Sequence, residues 1–123
     1  MKNEKAHYVD GFVLAVPKRN VEAYRRMARV ASKIWREHGA LEFRECVGDD
    51  LAVKMGVPFT SIMKIKRNET VVFSWITYKS RAHRDQVNAK VMKDARLGDM
   101  DPESMPFDVK RMAYGGFKIL VDG

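Results

Sequence analysis

Two polar side chains set among apolar ones are the first place in this sequence where chemistry can reside. After Ser80 the helical period puts Val87, Val91 and Ala95 on one arc, and Arg84 and Asn88 fall in the middle of it. A polar pair on a packing face has to be satisfied by hydrogen bonds, either to protein groups or to something bound. Asp10 is the only charge in an otherwise apolar stretch over residues 8–16, and Glu45 alternates with apolar residues in the stretch 41–47. An internal ion pair of Arg84 with Asp10 or Glu45 is therefore the alternative to contact with a ligand. With Trp75 or Tyr24 as aromatic wall, Arg84 and Asn88 would line a ligand pocket between sheet and helices. Acid/base chemistry there would need Asp10 or Glu45 to face the pocket with a raised pKa.

Other chemistry finds little support. There is no phosphate-binding glycine loop, no paired-cysteine zinc pattern and no nucleophile elbow. His7, His38 and His83 fall on separate segments without ligand spacing, and Asp49-Asp50 follows Gly48 in a turn, so neither metal site nor cofactor is expected. Cys46, the single cysteine, reads as a buried strand thiol in a reducing compartment, because nothing nearby would lower its pKa. No catalytic residue is assigned.

The elements that must position these residues follow from periodicity. Residues 70–78 are dense in β-branched and aromatic side chains, apolar on both faces, and run into a helix that Ser80 caps. Residues 8–16 form a second strand with two apolar faces, where Gly11 suggests a bulge or a close neighbour. From 21 to 38 a helical arc of Val21, Tyr24, Ala28, Ala31 and Trp35, flanked by Met27 and Ile34, ends at Gly39. Residues 41–47 alternate as an edge strand. Residues 51–68 are irregular, with one helical turn at 59–65, and 98–110 form a methionine-containing loop. A final strand over 111–121 contains Gly115-Gly116, which marks a bend or the approach of another backbone. This order is the α+β, ferredoxin-like βαββαβ arrangement with an antiparallel sheet, one domain over residues 1–123. Helices cover only one face of such a sheet. Inner strands that are apolar on both faces then call for a second copy, two sheets meeting face to face as a homodimer.

Composition bounds the remainder. With 123 residues, 46% hydrophobic and 32% charged, the chain is globular, and no apolar run approaches the length of a membrane span. The N-terminal residues lack the apolar segment of a signal peptide, so a cytoplasmic protein is expected. A net charge of +7 permits an anionic partner. Arg25, Arg26, Arg29, Lys33 and Arg36 share the outer arc of the first helix, a stripe that could track phosphates or simply be solvated.

Several ordered segments carry a resemblance: residues 8–12 (YVDGF), 37–42 (EHGALE), 45–50 (ECVGDD), 73–76 (FSWI), Ser80-Arg81-Ala82 with Arg84-Asp85, and 105–108 (MPFD) through Gly115-Gly116-Phe117. Together they resemble the bacterial YbaA-type domain of unknown function. The resemblance implies a member of the dimeric α/β-barrel superfamily and no particular activity. That superfamily includes cofactor-free oxygenases, haem-degrading enzymes, isomerases and ligand sensors. Its small oxygenases often carry Glu-x-Trp before the second helix and a histidine inside it. Here Ile76-Thr77-Tyr78 and Val87 stand at those places, so no catalytic residue carries over. The leading expectation is a homodimer that binds a small anionic or aromatic molecule near Arg84, Asn88, Trp75, Tyr24, Asp10 and Glu45. Nucleic-acid binding by the basic helix face, an oxygenase or isomerase activity, and a pure interaction module are the competing readings.

Overall fold

A computed structural model describes residues 5–98 and 102–123. Four strands, β1 (Tyr8–Pro17), β2 (Glu42–Val47), β3 (Glu69–Tyr78) and β4 (Ala113–Lys118), form one antiparallel sheet in the order β2-β3-β1-β4. Helices α1 (Val21–Glu37) and α3 (Arg81–Met92) follow β1 and β3, and a short α2 (Phe59–Ile62) lies in the β2–β3 connection. This is the expected ferredoxin-like order, with the two doubly apolar strands, β1 and β3, in the centre and β2 at an edge.

Local chemistry sets the ends of the helices. The Ser80 side chain accepts from the His83 N–H at 3.0 Å and so caps α3. α1 stops where Gly39 takes a φ of 119°, a conformation that a side chain rarely adopts, and the Ala40 N–H then turns back to the Trp35 carbonyl at 3.0 Å.

Pairing between β1 and β3 runs unbroken from Tyr8↔Tyr78 to Pro17↔Glu69, so Gly11 makes no bulge. It makes room instead. Gly11 pairs with Gly115, and the Phe117 ring lies over both, 3.6 Å and 3.7 Å from where their Cβ atoms would be. On the opposite face a Cβ on Gly116 would run into the Tyr8 hydroxyl. The glycine pair thus admits two aromatic rings, rather than a bend or another backbone. β4 is also shorter than the expected 111–121. Arg111 closes a 3-10 turn (Val109–Arg111), and beyond the strand Leu120 and Val121 are exposed.

One sheet face, carrying Tyr8, Asp10, Phe12 and Leu14 of β1 beside Val72, Ser74, Ile76 and Tyr78 of β3, meets α1 and α3. Its core divides into two clusters. Tyr8, Ile34, Ile76, Tyr78, Val87 and Val91 pack at one end, and Leu14, Val16, Tyr24, Ala28 and Val72 at the other, with Phe12 touching both. The opposite face is covered in part by the β2–β3 connection, where the Phe59 ring meets Phe73 at 6.0 Å and Ala15 and Val71 are buried. Phe73 and Phe117 on that face remain exposed.

Candidate functional site

Between the two core clusters the helix-facing side of the sheet opens into a cavity of about 740 Å³. Its position follows from the pairing register. Across the middle of the sheet, Glu45 of β2, Ser74 of β3 and Phe12 of β1 form one row, and Phe43, Ile76 and Asp10 the next. The first of these rows has a serine at its centre, and α1 contributes the small Ala31 and the Met27 thioether to the lining between Tyr24 and Trp35, so side-chain volume runs short. α3 is only twelve residues long. The remaining wall comes from the segment before β4, which contributes Met105, Phe107 and Met112. That segment is held by Asn20 Nδ2, which donates to the Pro106 carbonyl at 3.0 Å, and by Phe107, edge-on to Tyr24 at 5.7 Å. Val30 and Met92, both exposed, mark the mouth between α1 and α3.

Of the six residues singled out from the sequence, Asp10, Glu45, Asn88 and Tyr24 line this cavity. Trp75 does not. It pairs with Gly11 and Arg44 on the opposite face of the sheet, beside Phe73. The tryptophan in the wall is Trp35 of α1, whose Nε1 donates to Asn88 Oδ1 at 3.1 Å.

Arg84 stands behind the cavity wall and makes its hydrogen bonds to protein groups, as the ion-pair alternative required. Its Nη1 donates to Asp10 Oδ1 at 2.9 Å and to the Tyr114 hydroxyl at 3.2 Å, and Nη2 to the Tyr8 hydroxyl at 3.3 Å. The guanidinium also lies over the Tyr8 ring, 5.1 Å from its centroid. Nε is 2.9 Å from Asp85 Oδ1, but off the line of its N–H, and so buried without an aligned acceptor. Asp10 is 1% exposed. Burial pushes its carboxyl above the ordinary range, while Arg84 and hydrogen bonds from Tyr78 and Asn88 pull it partly back.

Glu45 sits differently. Tyr24 donates to its Oε1 at 2.6 Å and Ser74 supplies a second hydrogen bond, yet no cation among the described residues lies within ion-pair distance. Burial again raises the carboxyl, and the two hydrogen bonds only moderate it. The Tyr24 hydroxyl is pushed up as well, first by burial and then by the adjacent carboxylate, so it stays a donor. Tyr24 and Glu45 also border a smaller depression of about 220 Å³ towards β2, with Arg25 and Arg29 at its rim.

The arrangement is an apolar chamber with two carboxyl groups of raised pKa on its floor, one neutralised by an arginine and one not. The cavity's methionines and Phe107 were not among the sequence candidates; Met105 and Phe107 fall in the loop noted only as methionine-containing. Among the described residues no group of three His, Cys, Asp or Glu could hold a metal ion, and no helix is long and apolar enough to cross a membrane. His38 is instead bonded to Asp94 at 2.8 Å, and His83 Nδ1 accepts from the Lys79 N–H. The basic stripe of α1 is exposed along its length, with Arg25 paired to Glu22 at 3.2 Å.

Comparison with known proteins gives the same fold and no activity. The chain is 48% identical over 115 residues to the "Uncharacterized protein YbaA" of Escherichia coli strain K12, covering 94% of this chain and 97% of that relative, and equally to the YbaA of Shigella flexneri. The crystal structure of a dimeric ferredoxin-like protein from an uncultured marine organism superimposes with a TM-score of 0.56 at 14% identity, over 95% of this chain and 99% of that one. The model of the "Protein of unknown function (DUF1428)" family matches residues 7–109, and the chain belongs to that family.

Proposed function

We propose that the protein binds a small apolar or aromatic molecule in the chamber between sheet and helices, and that it does so as a homodimer. The chamber carries the first part of this reading. Its 740 Å³ lies within the roughly 300–1,000 Å³ of small-molecule sites, and its wall is largely aromatic, aliphatic and methionine, with a few fixed polar points. The space opens between α1 and α3, where an apolar molecule could enter. Methionine thioethers adapt to the shape of an occupant. The homodimer rests on the second sheet face, where Phe73 and Phe117 are exposed beside Val9, Val13 and Trp75. It also rests on the dimer named for the marine protein of similar fold.

The test is titration with N-phenyl-1-naphthylamine, a neutral dye that fluoresces in apolar surroundings, against the protein and Ala31→Trp, which puts a bulky ring into the chamber. Saturable binding near one dye per chain, weakened at least tenfold by the substitution, supports the reading. No saturable enhancement, or equal binding by the variant, overturns it.

A second reading, nucleic-acid binding, is supported by the exposed row Arg25, Arg26, Arg29, Lys33 and Arg36. It requires retention on single- or double-stranded DNA or RNA at low salt that is lost as salt rises. Absence of retention at 50 mM salt removes it.

A further inference from the structure

We infer that the natural occupant of the chamber is an amine, an arylalkyl or alkyl ammonium ion that places its nitrogen on the Glu45 carboxylate. This rests on the small-molecule reading above and specifies its chemistry.

The first observation concerns what is missing from the wall. Lys and Arg make up 23 of 123 residues, yet among the described residues that line the chamber none is Lys, Arg or His. Basic side chains line the outer depression and stand behind the wall, but none faces the interior. An anionic ligand would sit beside the unpaired Glu45 carboxyl with no cation on the wall to meet it, an arrangement that costs more than an apolar site returns. The protein's positive charge of +7 therefore says nothing in favour of an anion at this site.

A second observation separates the two carboxyl groups. Asp10 already has its cation, since Arg84 holds it at 2.9 Å. Glu45 has only neutral donors, Tyr24 at 2.6 Å and Ser74, and two neutral hydrogen bonds leave a half-buried carboxylate with acceptor capacity unused. An incoming ammonium supplies the missing charge and takes up that capacity in one contact. The geometry around it suits a cation. Tyr24, Phe43 and Phe107 stand near Glu45 or on the same wall, and aromatic faces attract an ammonium group in surroundings that exclude water. The remainder of the ligand then lies along Phe12, Met27 and Trp35.

The amine preference has a linked pH dependence. Burial holds the Glu45 carboxyl above its ordinary range, so protonating it removes the partner of the ammonium. Affinity for an amine rises with pH through the Glu45 titration, and affinity for the matching alcohol does not. The other ionisable groups around Glu45 are Tyr24, Arg25 and Arg29 of α1, Cys46 beside it on β2, and Asp10 across the floor on β1. Of these, Asp10 is already paired to Arg84 at 2.9 Å.

The experiment uses three ligands with one ring system: 1-naphthylmethylamine, 1-naphthylmethanol and 1-naphthoate. Each is titrated calorimetrically into the purified protein and into Glu45→Gln at pH 7.5, and the amine and alcohol also into the unaltered protein at pH 5.0. The amine should bind at least tenfold tighter than the alcohol, with naphthoate weakest. The ratio of amine to alcohol affinity should fall towards one in Glu45→Gln, and in the unaltered protein it should be lower at pH 5.0 than at pH 7.5. If alcohol and amine bind equally, or naphthoate binds best, the amine assignment is wrong while the chamber still binds. If none of the three binds, the small-molecule reading fails and takes the amine with it. Should Glu45→Gln fail to fold, the pH arm on the unaltered protein decides, and an unchanged ratio overturns the assignment.

Discussion

Replacing Arg84 by Gln should be among the most damaging single substitutions in this chain, for a reason specific to its partner. Asp10 is 1% exposed on the floor of the chamber, and the guanidinium that faces it at 2.9 Å is its only ion-pair partner among the described residues. Removing one member of a buried pair leaves the other charge uncompensated, which costs about 3–5 kcal/mol. An unfolding entropy of about 2.1 cal/mol/K per residue gives roughly 0.26 kcal/mol/K for 123 residues, so Tm should fall by about 12–19 °C. Asp10→Asn combined with Arg84→Gln removes both charges and should recover at least half of the loss, with a coupling of about 2 kcal/mol or more. The pH dependence has a definite sign. Burial already raises the Asp10 carboxyl, and without Arg84 it moves further up. The penalty in Arg84→Gln is then full above that raised pKa and shrinks as pH falls through it, because protonation neutralises the stranded group. The double variant should lack this recovery. Urea unfolding of the four proteins at pH 7.5 and 5.0 measures all of these quantities. A loss below 1 kcal/mol, or strictly additive single substitutions, would refute the claim that the pair is a coupled buried unit.

Gly116→Ala should destabilise the protein by about 1–3 kcal/mol, because its Cβ meets Tyr8 and the stacking of Arg84 on that ring keeps it from withdrawing. Gly11→Ala, whose Cβ would lie 3.6 Å from Phe117 in ordinary contact, should cost less than half as much, and thermal melts rank the two. Glu69 is held at a pKa of about 2, chiefly by its hydrogen bonds from Arg111. A folded pKa below the unfolded value gives stability that is complete above about pH 4.5 and is lost as pH falls towards 2. Urea midpoints at pH 5.5, 4.0 and 2.5 should decline in that window, and Arg111→Met should flatten the decline. Phe117→Lys places a charge on the open sheet face, where the ring is 59% exposed, and sedimentation velocity should report a dimer before the substitution and a monomer after it.

The architecture was legible because each local signal agreed with the global one. Alternation in residues 70–78, the Ser80 cap and the arc from Val21 to Trp35 lie where the structure has β3, the start of α3 and the buried side of α1. Arg84 and Asn88 stood out as polar residues in an apolar arc, and both make their bonds internally, with Asn88 still exposed to the chamber. Trp75 shows where such reasoning stops. Period-two alternation says which residues of a strand share a face, but β3 is apolar on both, so nothing in its pattern tells which face receives the helices. The expected last strand over 111–121 includes Arg111. In the structure the Asp108 side chain accepts from the Lys110 N–H at 3.1 Å, closes a turn there, and sends Arg111 to Glu69 instead. The chamber's third wall was hidden for a further reason. Met105, Phe107 and Met112 belong to irregular backbone, where no periodicity reports which side chains turn inward.

The central claim, that the space between sheet and helices is a ligand site, is tested most directly by methyl-13C methionine spectra. Met27, Met92, Met105 and Met112 line the chamber, whereas Met55, 92% exposed, and the buried Met63 do not. Addition of N-phenyl-1-naphthylamine should shift the four lining methyl resonances together and leave Met55 and Met63 in place. Shifts at Met55 or Met63 with the four unmoved, or no shifts at saturating dye, would contradict the account.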